Sequence, residues 1–381
     1  MANKNLSNAK KSKNDEFYTQ WEDIEKEVNA YLEYDRDVFK NKTILLPADD
    51  PFESNFFKFF ATHFNDFGLK KLIATSYDPS PIVNTQLKLS LFDDPVSNDK
   101  TKKISKAYRI EISDLSDFDD DGRININDVE AQLMFEKRKL DSGKKSNILS
   151  YLVGDDEFSP GDFRSKEVTK LRDVSDFIIT NPPFSLFRDF LKWIVPSKRK
   201  FLIIGNINVI AYREVFPLIK DNQIWLGTGI GRWISGFIVP KEYQLFGSEA
   251  RIEHGKRIVA TNNALWLTNI EHGKRHQYLS LMTMEDNIKF SKHKSVNGNQ
   301  YVKYENYDAL EVPYTDSIPS DYNGLMGVPI TFLDKYNPDQ FQIIDVNPHF
   351  YEAIKQGLPK PKQLKIDGKK DPYARILIQK K

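Results

Sequence analysis

Asp176-Phe-Ile-Ile-Thr-Asn181-Pro182-Pro183-Phe184, followed by Ser185-Leu-Phe-Arg-Asp-Phe-Leu-Lys-Trp193-Ile194, decides the fold. Phe177, Ile178 and Ile179 form a short apolar run, the pattern of a buried parallel strand. Neither Pro182 nor Pro183 can donate a hydrogen bond. Each also turns its predecessor away from helix, so the strand stops there. Ser185 suits an N-cap. Phe187, Phe190, Leu191 and Ile194 recur at i, i+3, i+4 and i+7, one face of a helix. The unit reads as strand, stiff tip, helix. In an open α/β sheet, ligands bind outside the carboxyl ends of the strands, where this tip stands.

The tip has a chemistry as well as a shape. The Asn181 side-chain oxygen and the Pro182 carbonyl are two acceptors on a rigid backbone, suited to an amino group with two N–H donors. An amine conjugated to a ring is a weak nucleophile because its lone pair is delocalised. Acceptors that draw its hydrogens out of the ring plane restore that lone pair, while Phe184 offers a face on which a base can pack. The pattern therefore fits methylation of an exocyclic amine. The same tetrapeptide also serves as a tight turn ending a core strand.

The chain has 381 residues, enough for a large core and two or three domains. No apolar run reaches membrane-spanning length, and the start lacks an apolar leader, so we expect a cytoplasmic protein without a membrane partner. There is no cysteine, which excludes disulfides, thiol nucleophiles and cysteine-ligated zinc. The formal net charge is only +1, so any nucleic-acid contact must be local.

Strand and helix alternate from about 42 to 220, which predicts a doubly wound α/β sheet. Lys42–Leu46 is the first strand and leads to Asp49, Asp50 and Pro51. A helix with Phe56, Phe60, Phe64 and Phe67 on one side follows. Lys71–Asp78 is the next strand, and acids at successive strand ends suit a ribose or a cation. Gly161-Asp162-Phe163-Arg164-Ser165 sets an acid beside an aromatic ring, and Lys200–Asn206 is a further strand. Before the first strand, Trp21, Ile24, Val28, Tyr31 and Leu32 have helical spacing.

Residues 84–150 read as a polar insertion. Asp117–Asp128 has the spacing of a calcium loop with Asp in place of the final Glu; we prefer a solvated loop that starts a helix at Val129–Phe135. After 225 the texture is β-rich. Gly227-Thr-Gly229-Ile-Gly231 reads as a flexible loop with Arg232 beside it. Strands are expected at Gly236–Val239, Ile258–Ile270, Ile330–Leu333, Phe341–Asp345 and Arg375–Ile378. Ile-Glu-His-Gly-Lys-Arg occurs at 252–257 and again at 270–275. If 258–268 is one straight strand, the two basic turns lie about 35 Å apart at ~3.3 Å per residue, so at most one faces a nucleic acid. His272 and His276 have no evident third ligand, so zinc is not expected. Asp367-Gly368 suggests a basic hairpin that includes Lys369 and Lys370.

Taken in order, Asn14–Gln20, Asp49–Phe57, Lys70–Tyr77, Gly161–Ser165, Thr180–Phe187, Phe201–Asn206, Trp266–Asn269 and Gly327–Pro338 resemble the EcoRI-type family of adenine-specific DNA methyltransferases. The resemblance covers nearly the whole chain. It implies a Rossmann-like methyltransferase sheet with a C-terminal β-rich target-recognition region. The expected divisions are an arm and helix at 1–35, a catalytic domain at 36–224 and a recognition region at 225–381. It also implies S-adenosyl-L-methionine as methyl donor and N6 of a flipped-out adenine in double-stranded DNA as acceptor. Phe17, Tyr18 and Thr19 should close over the cofactor. Asp49, Asp50 and Pro51 should lie at its amino-acid end, Asp78 at its ribose, and Asp162 and Phe163 at its adenine. Asn181, Pro182, Pro183 and Phe184 should hold the target base. Arg232, Lys274, Arg275, Lys369 and Lys370 are candidate DNA contacts. No metal is required, because a sulfonium is already activated. A monomer is expected. A cognate restriction endonuclease, a solitary regulatory role and a phage protective role all stay open as settings.

Two rivals remain at this level. Asn-Pro-Pro-aromatic tips also serve amino or amide nitrogens in RNA or a protein glutamine. A non-catalytic DNA-binding or decoy protein would keep the fold, although an intact tip argues against it.

Overall fold

A computed structural model describes residues 18–77, 107–118, 122, 124–230, 234–239, 245, 250–259, 263–347, 349–357, 359, 363–366, 368–370 and 374–381. Phe17, Asp78 and Arg232 lie outside them, as do several acids of the calcium-like loop. The fold is mixed α/β and forms two compact units, residues 1–206 with 231–270, and 207–230 with 271–381. The chain thus passes between units three times, and residues 231–270 cluster with the first unit although a single cut near 225 was expected.

The main sheet of the first unit contains β2 (Thr43–Leu46), β3 (Lys71–Thr75), β4 (Tyr108–Ile112), β5 (Leu149–Tyr151), β6 (Phe177–Thr180), β7 (Lys200–Asn206) and β12 (Ala264–Thr268), in the order β5-β4-β3-β2-β6-β7-β12. β3, β2, β6 and β7 are mutually parallel, and antiparallel strands flank them on both sides. The sequence steps outward one way from β2 to β3 and the other way from β6 to β7, so the order reverses between β2 and β6. One face carries Ile44, Leu46, Leu72, Ala74, Ile179, Leu202, Ile204 and Trp266 into the main core, together with α1 (Trp21–Tyr34) and α2 (Asn55–Thr62). Leu45, Ile73, Ile178, Ile203 and Leu265 on the alternate positions are buried as well. Burial on both faces is why these strands read as unbroken apolar runs.

A second sheet in this unit joins β1 (Tyr18–Thr19), β9 (Phe237–Val239), β10 (Arg251–Glu253) and β11 (Lys256–Val259), in the order β1-β9-β11-β10. Helix α3 (Ile126–Asp141) begins earlier than expected, because Asn125 and Asp128 form a capping box; the last acid of the calcium-like spacing is thereby an N-terminal cap. α4 (Lys166–Val174) precedes β6, and α5 (Phe187–Ile194) follows the tip. Ser185 is not at the N-cap position of this helix, which Leu186 occupies. It lies in a single 3₁₀ turn, Phe184–Leu186, that leads into α5.

The second unit has β8 (Trp225–Ile230), the short helices α6 (Phe216–Lys220), α7 (Met284–Phe290) and α8 (Phe350–Lys355), and a sheet of β13 (Leu310–Glu311), β14 (Met326–Pro329), β15 (Phe341–Val346) and β18 (Arg375–Lys380). The sheet order is β13-β14-β18-β15. Ile376, Leu377 and Ile378 of β18 are fully buried beside Met326, Val328 and Phe341. β16 (Lys365–Ile366) and β17 (Lys369–Lys370) form the hairpin expected around Asp367-Gly368. Two assignments differ from expectation. Residues 225–230 are strand β8 rather than a flexible loop, and Ile330–Lys335 is 3₁₀ helix with the strand displaced to Met326–Pro329.

The repeated hexapeptide folds in two ways. Residues 258–268 do not make one straight strand, because β11 and β12 belong to different sheets. The first copy is a β10–β11 hairpin. Its turn residues His254 and Gly255 have φ of 48° and 77°, as a two-residue turn matched to strand twist requires. In the second copy, Gly273–His276 is 3₁₀ helix. His272 is buried against the Leu226 carbonyl, 2.9 Å away, and burial lowers its pKa to about 4. Lys274 donates to the Thr228 carbonyl at 2.7 Å and pairs with Asp334 at 2.6 Å. The Arg275 guanidinium lies 3.8 Å over the Trp225 ring, bonds Asn222 and reaches Glu271. Its side chain is 4% exposed. Lys274 and Arg275, expected on DNA, are therefore internal braces of this unit. The Arg275 guanidinium is buried and stacked inside this unit rather than presented at its surface. Arg275→Ala should lower thermal stability by about 2 kcal/mol or more, since it strands Trp225 and Glu271. Lys256→Ala, beside the exposed turn of the first copy, should stay within ~0.5 kcal/mol in the same melt.

Candidate active site

β2 gives way to Pro47-Ala48-Asp49-Asp50-Pro51, a turn with no glycine. Ala48 has φ of 59°, in the left-handed region where a non-glycine residue costs about 1 kcal/mol or more. What holds it there is a grip on one peptide group. Thr180, the last residue of β6, donates its hydroxyl to the Pro47 carbonyl at 3.0 Å. The Ala48 N–H donates to the hydroxyl of Thr75, the last residue of β3, at 3.2 Å. Both threonines are buried. The peptide between residues 47 and 48 is thus held from both flanking strands, where the strand order reverses.

Asn181 follows Thr180 directly. Pro182 and Pro183 are buried, and Asn181 and Phe184 are half-buried. The Phe184 ring meets Phe237 of β9 edge-on, with centroids 6.1 Å apart. Phe237 pairs with Thr19 and Ile238 with Tyr18, so the N-terminal arm runs alongside as β1. The Thr19 carbonyl accepts from Asn55 at 2.7 Å, and the Tyr18 hydroxyl donates to Glu53.

Past Ala48 the loop carries three acids, Asp49, Asp50 and Glu53, each with less than a tenth of its surface exposed. Asp49 accepts from the Ser54 hydroxyl at 2.8 Å, while Ser54 itself caps α2 through Phe56 and Phe57. Asp50 accepts from the Phe52 N–H at 2.9 Å, and both its oxygens lie 2.8 Å from the Tyr108 hydroxyl. Burial raises the Asp50 pKa to about 6 despite those bonds. A cluster of buried carboxylates is a site of negative potential, which the start of α2 only partly offsets, and suits a cation.

The fourth part is Gly161–Ser165. A Cβ on Gly161 would fall 1.9 Å from the Ser76 carbonyl oxygen, so only glycine lets this loop lie against the end of β3. Asp162 is buried and accepts from Arg164 through Nε at 2.9 Å and Nη2 at 2.7 Å. Phe163 packs its ring on Phe190 and Trp193, beneath α5.

The structure therefore gathers Tyr18, Thr19, Asp49, Asp50 and Pro51 with Asn181–Phe184 along the carboxyl ends of β2, β3 and β6, and Asp162 and Phe163 border the end of β3. Lys369 and Lys370 are strand β17. Sequence reasoning missed Thr75, Thr180, Tyr108, Glu53 and Asn55. For the threonines a partial signal existed, since each closes a strand expected there, although the expected ends were Asp78 and Asn181. Tyr108 lies inside residues 84–150, which read as a polar insertion without a site signal.

A family model described as adenine-specific methyltransferase EcoRI matches residues 5–381. The chain is 43% identical over 384 residues to Type II methyltransferase M.EcoRI of Escherichia coli, covering 100% of this chain and 97% of that one. It is 32% identical to Type II methyltransferase M.MgeORF184P of Mycoplasma genitalium, covering 98% of each chain. It is 30% identical to Type II methyltransferase M.MpnI of Mycoplasma pneumoniae, covering 90% and 86%. No solved structure matches. Fold, site and whole-length similarity define a DNA methyltransferase that modifies adenine. Within that class the chain belongs to the adenine-specific methyltransferase EcoRI family.

Two substitutions probe the frame. Thr180→Val leaves the buried Pro47 carbonyl without its donor and should cost about 1–3 kcal/mol in denaturant unfolding, with Thr180→Ser close to wild type. Asp50 holds its proton to about pH 6 when folded, against 3.8 ordinarily, so its ionisation opposes folding. That opposition is absent below pH 3.8, grows between 4 and 6, and is complete above. Asp50→Asn should therefore raise stability at pH 7.5 by up to about 3 kcal/mol and flatten the pH dependence of Tm between 4 and 6.

Proposed function

We propose that Asn181-Pro182-Pro183-Phe184 holds an adenine extruded from double-stranded DNA and that the methyl donor is S-adenosyl-L-methionine. The observation that carries this is the single peptide at 47–48. Through it the acidic loop and the amine-accepting tip share one rigid frame, braced at adjacent strand ends. The sheet then serves as a doubly wound Rossmann-like scaffold, with its ligands at the reversal of strand order.

The residues present fit the donor. Its ammonium and sulfonium are cationic, and Asp49, Asp50 and Glu53 supply buried negative charge with Pro51 shaping the turn. Tyr18 and Thr19, with Phe17 ahead of them, cover that loop from the arm. Asp78 lies one residue past Tyr77 and is assigned to the ribose. Asp162 and the backbone of Phe163 are assigned to the adenine, since the Phe163 ring is occupied in packing. When bound, the donor supplies a methyl group on a good leaving group. Asn181 and the Pro182 carbonyl accept the two N6 hydrogens and draw them from the ring plane. Pro183 stiffens the tip, and Phe184 supports the base. Catalysis here is positioning and electrostatics.

Residues 225–381 are assigned most of the target recognition, with Arg232, Lys369 and Lys370 as candidate contacts. The enzyme is taken to act as a monomer. The Type II designation of its relatives supports a restriction–modification setting, with an endonuclease that acts on the same site.

Transfer of radiolabelled methyl groups to duplex DNA tests this reading. Asn181→Ala should lower kcat by about 10²-fold or more while cofactor affinity changes little. Transfer to protein or RNA but not to DNA would overturn it, as would full activity in that variant.

A further inference from the structure

A chain of net charge +1 that acts on DNA needs a local basic surface, and the second hexapeptide copy is consumed inside its unit. The first copy is the reverse case. His254, Gly255 and Lys256 at the hairpin tip are exposed, and Ile252 on the edge strand β10 is 63% exposed. Residues 251–257 carry Arg251, Lys256 and Arg257 against one carboxylate, Glu253. Glu253 pairs with Arg251 at 2.9 Å.

The position of the hairpin matters more than its charge. Arg257 pairs with Val239 and Val259 with Phe237, and Phe237 lies against Phe184. Ile252 sits opposite Arg257. It is thus two strands across and two residues along from Phe237, about 10 Å and about 7 Å, or some 12 Å in all. That is three to four base pairs along a duplex at ~3.4 Å each. We infer that the β10–β11 hairpin is a DNA-contacting element that grips the duplex a few base pairs from the extruded adenine. Lys256 and the tip meet phosphates, and Ile252 lies against the sugar edges. A solvated edge strand would be blunted by charge along its outward row. Arg251 and Glu253 give β10 that charge, yet Ile252 between them stands 63% exposed, an apolar surface that a deoxyribose edge covers.

The inference rests on Asn181–Phe184 as the base-holding tip, and its test reads DNA binding by enzyme already shown to be active. The affinity of the full chain for a duplex it methylates is measured across a salt series, beside an unrelated duplex. Lys256→Ala should weaken binding to both duplexes alike and make the log–log salt slope shallower by about 0.9, one phosphate contact. Lys256→Glu should weaken binding further, most at low salt. Ile252→Ser should reduce affinity with the slope unchanged. For all three, Tm should match wild type, so any loss of affinity is not a loss of fold. Lys144→Ala, on an exposed turn after α3, is the control. If the Lys256 variants keep the wild-type slope and affinity, the hairpin is a solvated edge and the inference fails, whatever the enzyme's activity. Loss of methyl transfer by wild type would instead count against the tip.

Discussion

One peptide group, Pro47–Ala48, is the constraint on which the site depends. Its carbonyl and its N–H are both buried and need partners. They find them on the last residues of the two strands that flank β2. A glycine-rich turn would relieve the left-handed conformation at Ala48 by having no Cβ. Here the conformation is instead held by two threonine hydroxyls, and stiffness replaces adaptability. Asn181 follows one of those threonines and Asp49 follows Ala48, so neither the Asn181–Phe184 tip nor the acidic loop can shift without the other.

Around that peptide, burial and charge are set against each other. Three carboxylates lie in a loop that excludes most water, held by hydroxyl and backbone donors. Asp50 accepts bonds from Tyr108 and Phe52 and still keeps its proton to about pH 6. There desolvation outweighs the hydrogen bonds that favour the charged form. The N-terminal arm adds a second constraint: it is tied to Asn55, to Glu53 and to β9, and β9 carries the phenylalanine that meets Phe184.

Much of this was legible in the sequence because it is local. Residues 177–194 announce strand, tip and helix through apolar spacing and two prolines, and β2, β3 and β7 are short apolar runs of the same kind. What was illegible depends on distant partners. Gly227 and Gly229 read as loop, yet they lie in strand β8, whose Leu226 and Thr228 carbonyls are bonded by His272 and Lys274. Residues 258–268 read as one strand because both halves are apolar, though they join different sheets. Arg275 read as a DNA contact from its charge alone, and only the fold brings Trp225 beneath it. Tyr108 lies within the insertion at 84–150, whose lack of periodicity offered nothing to match it to Asp50.

The duplicated hexapeptide also makes the molecule a reporter on itself. Both copies end in Lys-Arg, a pair that trypsin cleaves. In the native chain the pair at 256–257 stands on a hairpin, whereas the pair at 274–275 is held by Trp225 and Asp334. The unfolded chain presents two equal sites. The ratio of cuts at the two places therefore reads the integrity of the second unit directly, with the first copy as an internal standard of identical sequence.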